Sequence, residues 1–168
     1  MKILLSILIF CFSTTIAIAS SSSVYEKAGD MTLDDAFDSV YQELEQRNFY
    51  VVFTANIGEN ISRFKEKWAA NYNKNKLGGI RSMVFCNAWY ANKVSNEDPT
   101  MLALCPLRLT VIERSGKTHI LFVKPSFVGQ NSPALPVLQE IENTVIEAID
   151  AAMEKASGRS SFNEQLQK

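Results

Sequence analysis

The sequence predicts an α+β fold: a single compact domain with a largely antiparallel sheet of about four to five strands and helices packed on one side. Three observations support this class. Helical and strand patterns alternate along the chain, and the pairing that the sequence defines best is an antiparallel hairpin. Hydrophobic residues make up 46% of the 168 residues and charged residues 21%, which is typical of a globular chain with a sizeable core.

The N-terminus has the layout of a secretory signal peptide. Lys2 precedes an apolar run over residues 3–12, and Ala17-Ile18-Ala19 is a small-x-small cleavage pattern. The apolar run is shorter than the roughly 20 residues that a membrane span needs. Cys11 follows a large aromatic residue, which disfavours lipidation. We therefore predict a signal peptide at residues 1–19, a periplasmic or secreted mature protein, and no membrane span after cleavage.

The remaining chain is read as one domain with polar ends. Residues 20–31 are predicted to be a flexible N-terminal segment, residues 32–157 the domain, and residues 158–168 a polar tail. Residues 1–19 contain one charged residue, Lys2, so cleavage takes the formal net charge from −1 to −2. A chain so near neutrality lacks the basic footprint of a nucleic-acid-binding protein and has no overall field to hold it on anionic lipid.

The first helix is predicted to begin at Thr32, whose side chain can cap it. Apolar residues then recur at helical spacing as far as Leu44. A strand over residues 49–55 follows, rich in aromatic and β-branched residues. The apolar face of the helix consists of Leu33, Ala36, Phe37, Val40, Tyr41 and Leu44.

A second helix is predicted from Ile61 to near Tyr72, because Ile61, Phe64 and Trp68 fall at spacings of three and four. The two aromatic residues suit either an aromatic ligand box or core packing beneath the helix. We favour core packing.

The best-defined element is a hairpin in which residues 107–114 and 117–124 flank Ser115-Gly116. A two-residue turn fixes the register outward from the pair Arg114 and Lys117. One face then carries Leu107, Leu109, Val111, Ile120 and Phe122, which we take as the core face. The other face carries Arg108, Thr110, Ile112, His119, Leu121 and Val123, and is apolar enough to suggest cover by a partner subunit or a loop.

The hairpin is preceded by a predicted strand over Ile80–Cys86 and a short helix that begins at Asn87 and contains Trp89. A final helix carries an apolar stripe and is expected to end near Ser157-Gly158. The stripe consists of Leu138, Ile141, Val145, Ile149 and Ala152.

Two short segments, Val84-Phe85-Cys86-Asn87 and Leu104-Cys105-Pro106-Leu107-Arg108-Leu109, resemble the domain-of-unknown-function family 302. The resemblance covers roughly residues 32–150. It implies a compact α+β fold of the TATA-binding-protein-like type without a DNA role, and a tendency to form homodimers. It implies no established activity.

Cys86 and Cys105 are the two cysteines that cleavage would leave, and three interpretations of them stay open. In an oxidising compartment they can form a structural disulfide. Together with the thioethers of Met83 and Met101 they can supply soft ligands for copper, and His119 is a further candidate, although the hairpin register places it on the face away from the cysteines. They can also form a reactive thiol pair, although no Cys-x-x-Cys motif is present.

The catalytic inventory of the sequence is incomplete. No Gly-x-Ser-x-Gly nucleophile turn occurs, Gly78-Gly79 lacks the spacing of a phosphate loop, and a lone histidine on a half-buried strand is usually a packing residue. We therefore expect an exported small-molecule-binding or accessory domain, braced by the cysteine pair, without established catalytic activity and without a cofactor. Its partner would be a small ligand, a periplasmic protein or a second copy. The alternative is thiol-redox or copper handling by the same cysteines. The candidate pocket residues are Asn87, Trp89, Pro106 and Arg108.

Overall fold

A computed structural model of the protein describes residues 22–166. The predicted signal peptide lies outside the described residues. Within residues 22–166, five strands form one antiparallel sheet in the order β1-β5-β4-β3-β2. They are β1 (Val24–Gly29), β2 (Tyr50–Asn56), β3 (Gly79–Cys86), β4 (Leu107–Arg114) and β5 (Lys117–Val123).

In the described part of the chain, six α-helices connect or cover the strands. They are α1 (Leu33–Gln46), α2 (Ile57–Ser62), α3 (Lys65–Trp68), α4 (Ala88–Glu97), α5 (Pro125–Val128) and α6 (Leu135–Leu166). Two 3₁₀ turns, Ala69–Asn71 and Pro99–Leu104, lie between them. The predicted α+β class is confirmed, with the two long helices α1 and α6 packed together over the sheet.

The hairpin register is confirmed pair by pair, with Leu109 opposite Phe122, Val111 opposite Ile120, and Arg114 opposite Lys117. Ser115 and Gly116 both have positive φ, 54° and 75°, as the favoured two-residue hairpin turns require. The predicted core face packs against α1 and α6. Its central members, together with residues of β3 and both helices, are fully buried: Val40, Leu44, Met83, Phe85, Leu109, Val111, Ile120, Phe122, Val145 and Ile149.

The first helix also begins where the sequence predicts. Thr32 is its N-cap, and its Oγ1 accepts a hydrogen bond from the Asp35 amide at 3.1 Å. The apolar face predicted for this helix is buried at Ala36, Phe37, Val40 and Leu44.

Both ends of the domain extend beyond the predicted limits. The segment expected to be flexible, residues 20–31, contains the edge strand β1, which pairs with β5 from Val24–Val123 to Gly29–Thr118. The final helix does not end near Gly158 but continues to Leu166. A single interior glycine costs a helix only about 1 kcal/mol, which a helix this long can absorb.

The predicted helix from Ile61 to Tyr72 is broken into α2, α3 and a 3₁₀ turn, with φ of 42° at Ala69. The expectation that Phe64 and Trp68 pack in the core is wrong. Their exposed fractions are 45% and 39%, and the two rings stack on each other at a centroid distance of 5.1 Å. The helical spacing shows that Phe64 and Trp68 share one face. It does not show whether the core of the domain packs against that face.

No helix within residues 22–166 is both long enough and apolar enough to cross a bilayer.

Candidate functional site

The site is built where β3 ends and α4 begins. Cys86 is the last residue of β3 and Asn87 is the N-cap of α4. The Asn87 Oδ1 atom accepts hydrogen bonds from the amides of Trp89 at 3.0 Å and Tyr90 at 3.2 Å. This cap satisfies amides that a helix start otherwise leaves unpaired, and it turns the chain away directly after the cysteine.

The second cysteine is positioned by the 3₁₀ turn Pro99–Leu104. Asp98 caps this turn: one carboxylate oxygen accepts from the Thr100 amide at 3.0 Å, and the other accepts from the Ser132 hydroxyl at 2.6 Å. The hydrogen bond from the Ser132 hydroxyl, and then one that the Thr100 hydroxyl donates to Oδ1 at 2.6 Å, lower the pKa of the Asp98 carboxyl. The turn ends at Cys105, whose peptide bond to Pro106 is cis, and β4 follows.

Pairing of β3 with β4 brings the cysteines together. Phe85 lies opposite Leu107 in the sheet, so the residues just beyond that pair, Cys86 and Cys105, come from neighbouring strand ends. Their Sγ atoms are 3.3 Å apart, and both residues are thiols in this structure.

The two cysteines form part of the wall of a small cleft of about 30 Å³, which we call the cysteine cleft. The Phe49 and Tyr90 rings stack at 5.6 Å on one side of it. Apart from Asn87, the Tyr90 hydroxyl and the thiols, its lining side chains are hydrocarbon or thioether. The lining consists of Phe49, Cys86, Asn87, Tyr90, Ala91, Val94, Met101, Leu104, Cys105, Leu107, Leu138 and Ile141.

The surroundings of Cys105 disfavour its thiolate form. Burial raises the pKa of the Cys105 thiol from its ordinary value of 9.0 to about 11, and the hydrogen bond with Cys86 adds to the increase. Because nucleophilic and metal-binding cysteines act as thiolates, Cys105 is held in its less reactive form at neutral pH.

The four predicted pocket residues occupy three places. Asn87 lines the cysteine cleft. Pro106 and Arg108 line a neighbouring groove that also touches Phe122 and Pro125. Trp89 is 66% exposed on α4 and lies outside both linings.

The other candidate copper ligands lie in different parts of the domain. Met101 lines the cysteine cleft, whereas Met83 is fully buried in the core. His119 lies on the opposite sheet face, where its Nδ1 is 2.7 Å from Glu26 Oε1. Within the described residues, no three His, Cys, Asp or Glu side chains are grouped closely enough to hold a metal ion.

Sequence reasoning missed most of the apolar lining. Phe49 directly precedes β2, Tyr90 lies in α4 and Leu138 lies in α6. These three segments are far apart in the sequence. Local patterns place Phe49 in a strand and Leu138 in the apolar stripe of the last helix, and they give Tyr90 no role in a site. The apolar stripe of the last helix was the available signal, since Leu138 and Ile141 belong to it.

Two comparisons with known proteins bear on this architecture, and no curated protein matches the chain. The crystal structure of an uncharacterized conserved protein DUF302 from Bacillus stearothermophilus superposes with a TM-score of 0.67, covering 77% of this chain and 98% of that one. At 22% sequence identity this likeness supports the fold alone. The sequence also matches the family "Domain of unknown function DUF302" over residues 25–156. The chain therefore belongs to the DUF302 family.

Proposed function

We propose that this protein is an exported small-molecule-binding domain without catalytic activity, and that its ligand occupies the cysteine cleft. The observation that carries the proposal is the cleft itself. Its volume of about 30 Å³ is far below the roughly 300–1,000 Å³ of small-molecule sites, so a ligand enters only if the side chains that line the cleft move apart. Its apolar lining, with Asn87 and the Tyr90 hydroxyl as polar groups, suits a compact, largely apolar ligand.

The cysteine pair is proposed to brace this cleft as a disulfide. Closure of the bond removes one hydrogen from each thiol, and the two electrons pass to an oxidant of the export compartment. The 3.3 Å separation requires only a small side-chain movement to reach the bond length of about 2.05 Å. The raised Cys105 pKa supports a structural role over a reactive one.

A screen of small apolar acids, alcohols and aromatic compounds by thermal shift tests ligand binding. Ala91→Trp fills the cleft from α4, whereas Trp89→Ala changes an exposed residue outside it on the same helix. We expect a compound that raises the melting temperature of the wild type and of Trp89→Ala but not of Ala91→Trp. An equal shift in all three proteins, or turnover that requires either cysteine, would contradict the proposal.

A second candidate function is copper handling or thiol redox exchange. The observation in its favour is that Met101 lines the same cleft as both cysteines, which gives a thiolate and thioether set suited to Cu(I). Titration of the reduced protein against a Cu(I) chelator tests it. Binding that is lost in Met101→Leu and retained in the buried-core control Met83→Leu would favour this function over the first.

Export is supported by the leader at residues 1–19. A mature mass that begins at Ser20, recovered from the periplasm or the medium, tests it. Accumulation of the uncleaved chain in the cytoplasm would contradict it.

A homodimer is proposed through the sheet face opposite α1 and α6. Strand pairing places five apolar residues on this face: Phe53, Val84, Ile112, Leu121 and Val123. Phe53, on the edge strand β2, is 61% exposed, and Val123 is 43% exposed. Light scattering after size-exclusion chromatography tests the dimer. Leu121→Lys should give a monomer, whereas Val128→Lys, on α5, should leave the dimer intact. A monomeric wild type would exclude it.

A further inference from the structure

The segment between β2 and β3, residues 57–78, is set apart from the rest of the domain, and we call it the basic aromatic arm. Every residue from 62 to 71 is exposed. Its base is well attached: Gly58 lies so close to β3 that an added Cβ would be 3.1 Å from the Ile80 amide nitrogen. At the other end, the Asn73 side chain exchanges two hydrogen bonds with the Leu77 backbone, both at 2.9 Å.

The arm presents a preformed aromatic surface. Phe64 and Trp68, four residues apart, stack at 5.1 Å with their planes 20° apart. With 45% and 39% of their surfaces exposed, both rings remain available for contact. Contiguous exposed apolar patches mark interaction surfaces, whereas exposed apolar residues scattered singly are normal.

The same arm carries a local positive charge. It contains Arg63 and four lysines against Glu59 and Glu66, a formal charge of +3, whereas the whole chain carries −1 and the remainder therefore −4. Arg63 pairs with Glu59 at 3.3 Å. Within the described part of the chain, the lysines make no ion pair, and all four are exposed: Lys65, Lys67, Lys74 and Lys76.

We infer that the basic aromatic arm docks the protein on the surface of an anionic lipid bilayer. Lysines near such a surface are attracted by its negative potential, and Trp and Phe rings favour the interface between headgroups and acyl chains. The arm supplies both within a few residues. The net negative charge of the remainder orients the molecule, since it favours approach with the arm first.

This attachment is peripheral. The arm's helices α2 and α3 have six and four residues, which is far below the length of a span. An exported protein, as proposed above, meets anionic membrane surfaces, which favours lipid over nucleic acid as the partner. The inference concerns a surface distinct from the cysteine cleft and does not require a ligand there.

Vesicle co-sedimentation tests the inference with the processed protein. The vesicles are phosphatidylcholine alone or an equimolar mixture with phosphatidylglycerol. We expect binding to the mixed vesicles that weakens as salt is added, and little binding to phosphatidylcholine. Replacing Lys65, Lys67, Lys74 and Lys76 with Gln should lower the partition coefficient by about fivefold for each lysine removed.

A fluorescence readout reports on the arm directly. The chain has two tryptophans, so Trp89→Phe leaves Trp68 as the reporter, and its emission should shift to shorter wavelength on mixed vesicles. A chain that attaches through any other segment would leave this emission unchanged. Phe64→Ala should weaken binding, whereas Phe127→Ala, an aromatic 43% exposed on α5, should not.

Three results would overturn the inference: equal binding to both vesicle types, unchanged binding by the four-lysine variant, or no shift of Trp68 emission. Tighter binding of a single-stranded oligonucleotide than of the mixed vesicles would also overturn it and point to nucleic acid. Circular dichroism checks that each variant is folded. We expect every variant to fold, because the substituted side chains are exposed.

Discussion

The Sγ atom of Cys86 lies 3.3 Å from the Sγ atom of Cys105, 19 residues further along the chain. The contact joins the end of one central strand to the entry of the next. It closes the loop that holds α4 and the 3₁₀ turn, and these two elements provide much of the cleft wall. The state of the two sulfurs therefore affects the shape of the cleft as well as the stability of the fold.

Oxidation of the pair should stabilise the domain. A cross-link that closes a loop of this length contributes about 3 kcal/mol in the chain-entropy model. Urea unfolding of the oxidised and reduced protein should show this difference, and the double variant Cys86→Ala/Cys105→Ala should be insensitive to reductant. A mass that does not change on reduction of the unfolded wild type would show that the bond is absent.

The reduced protein should lose stability at alkaline pH. Because the folded state raises the Cys105 pKa from 9.0 to about 11, the neutral thiol is favoured on folding. Its contribution is complete below pH 9 and declines as the pH rises towards 11. Unfolding free energies measured across this range should fall for the reduced wild type more steeply than for Cys105→Ala. Parallel curves would show that the Cys105 thiol has the same pKa in the folded and the unfolded protein.

Two phenylalanines on paired strands should respond very differently to truncation. Phe85 is fully buried and contacts Phe49 edge to face at 5.9 Å, so Phe85→Ala should cost about 4 kcal/mol. Phe53, on the neighbouring strand, is 61% exposed, and Phe53→Ala should change the monomer's stability by about 0.5 kcal/mol or less. Denaturant unfolding at low protein concentration measures both, and similar losses would contradict this assignment of the two sheet faces.

Glu43 should act as a clamp between α1 and α6. Its buried carboxylate accepts hydrogen bonds from Lys155 Nζ and, at 2.5 Å, from Arg47. The bond from Lys155 is the main reason that the Glu43 pKa lies below its ordinary value of 4.5, although burial opposes the decrease. Glu43→Gln should therefore cost about 2 kcal/mol at neutral pH.

The same clamp predicts a dependence on acid. Since the folded-state pKa of Glu43 is lowered, its contribution is present above pH 4.5 and is lost as the pH falls through the folded value. Unfolding of Glu43→Gln should be less sensitive to acid than that of the wild type. Asp38→Asn, an exposed acid on the same helix, is the control and should follow the wild type.

Local patterns in the sequence were sufficient for the elements whose register or capping is set by near neighbours. Ser115-Gly116 fixed every pair of the β4–β5 hairpin, because a two-residue turn leaves no freedom of register. Thr32 and Asn87 marked the starts of α1 and α4, because a cap bonds amides only two or three residues away. The family resemblance and the α+β class were likewise confirmed.

The tertiary structure decided what depends on partners far along the chain. Val24–Gly29 is a strand because β5 offers it an edge almost 100 residues away, and its own sequence has little strand pattern. Phe64 and Trp68 have core spacing but no core beneath them. The cleft joins residues from β3, α4, the 3₁₀ turn and α6. Of the four pocket residues predicted around the cysteines, only Asn87 lines it, because the apolar wall depends on contacts between distant segments. By itself the sequence determined local geometry and two cysteines of interest, whereas only long-range strand pairing and helix packing decided that their sulfurs meet beside a cleft.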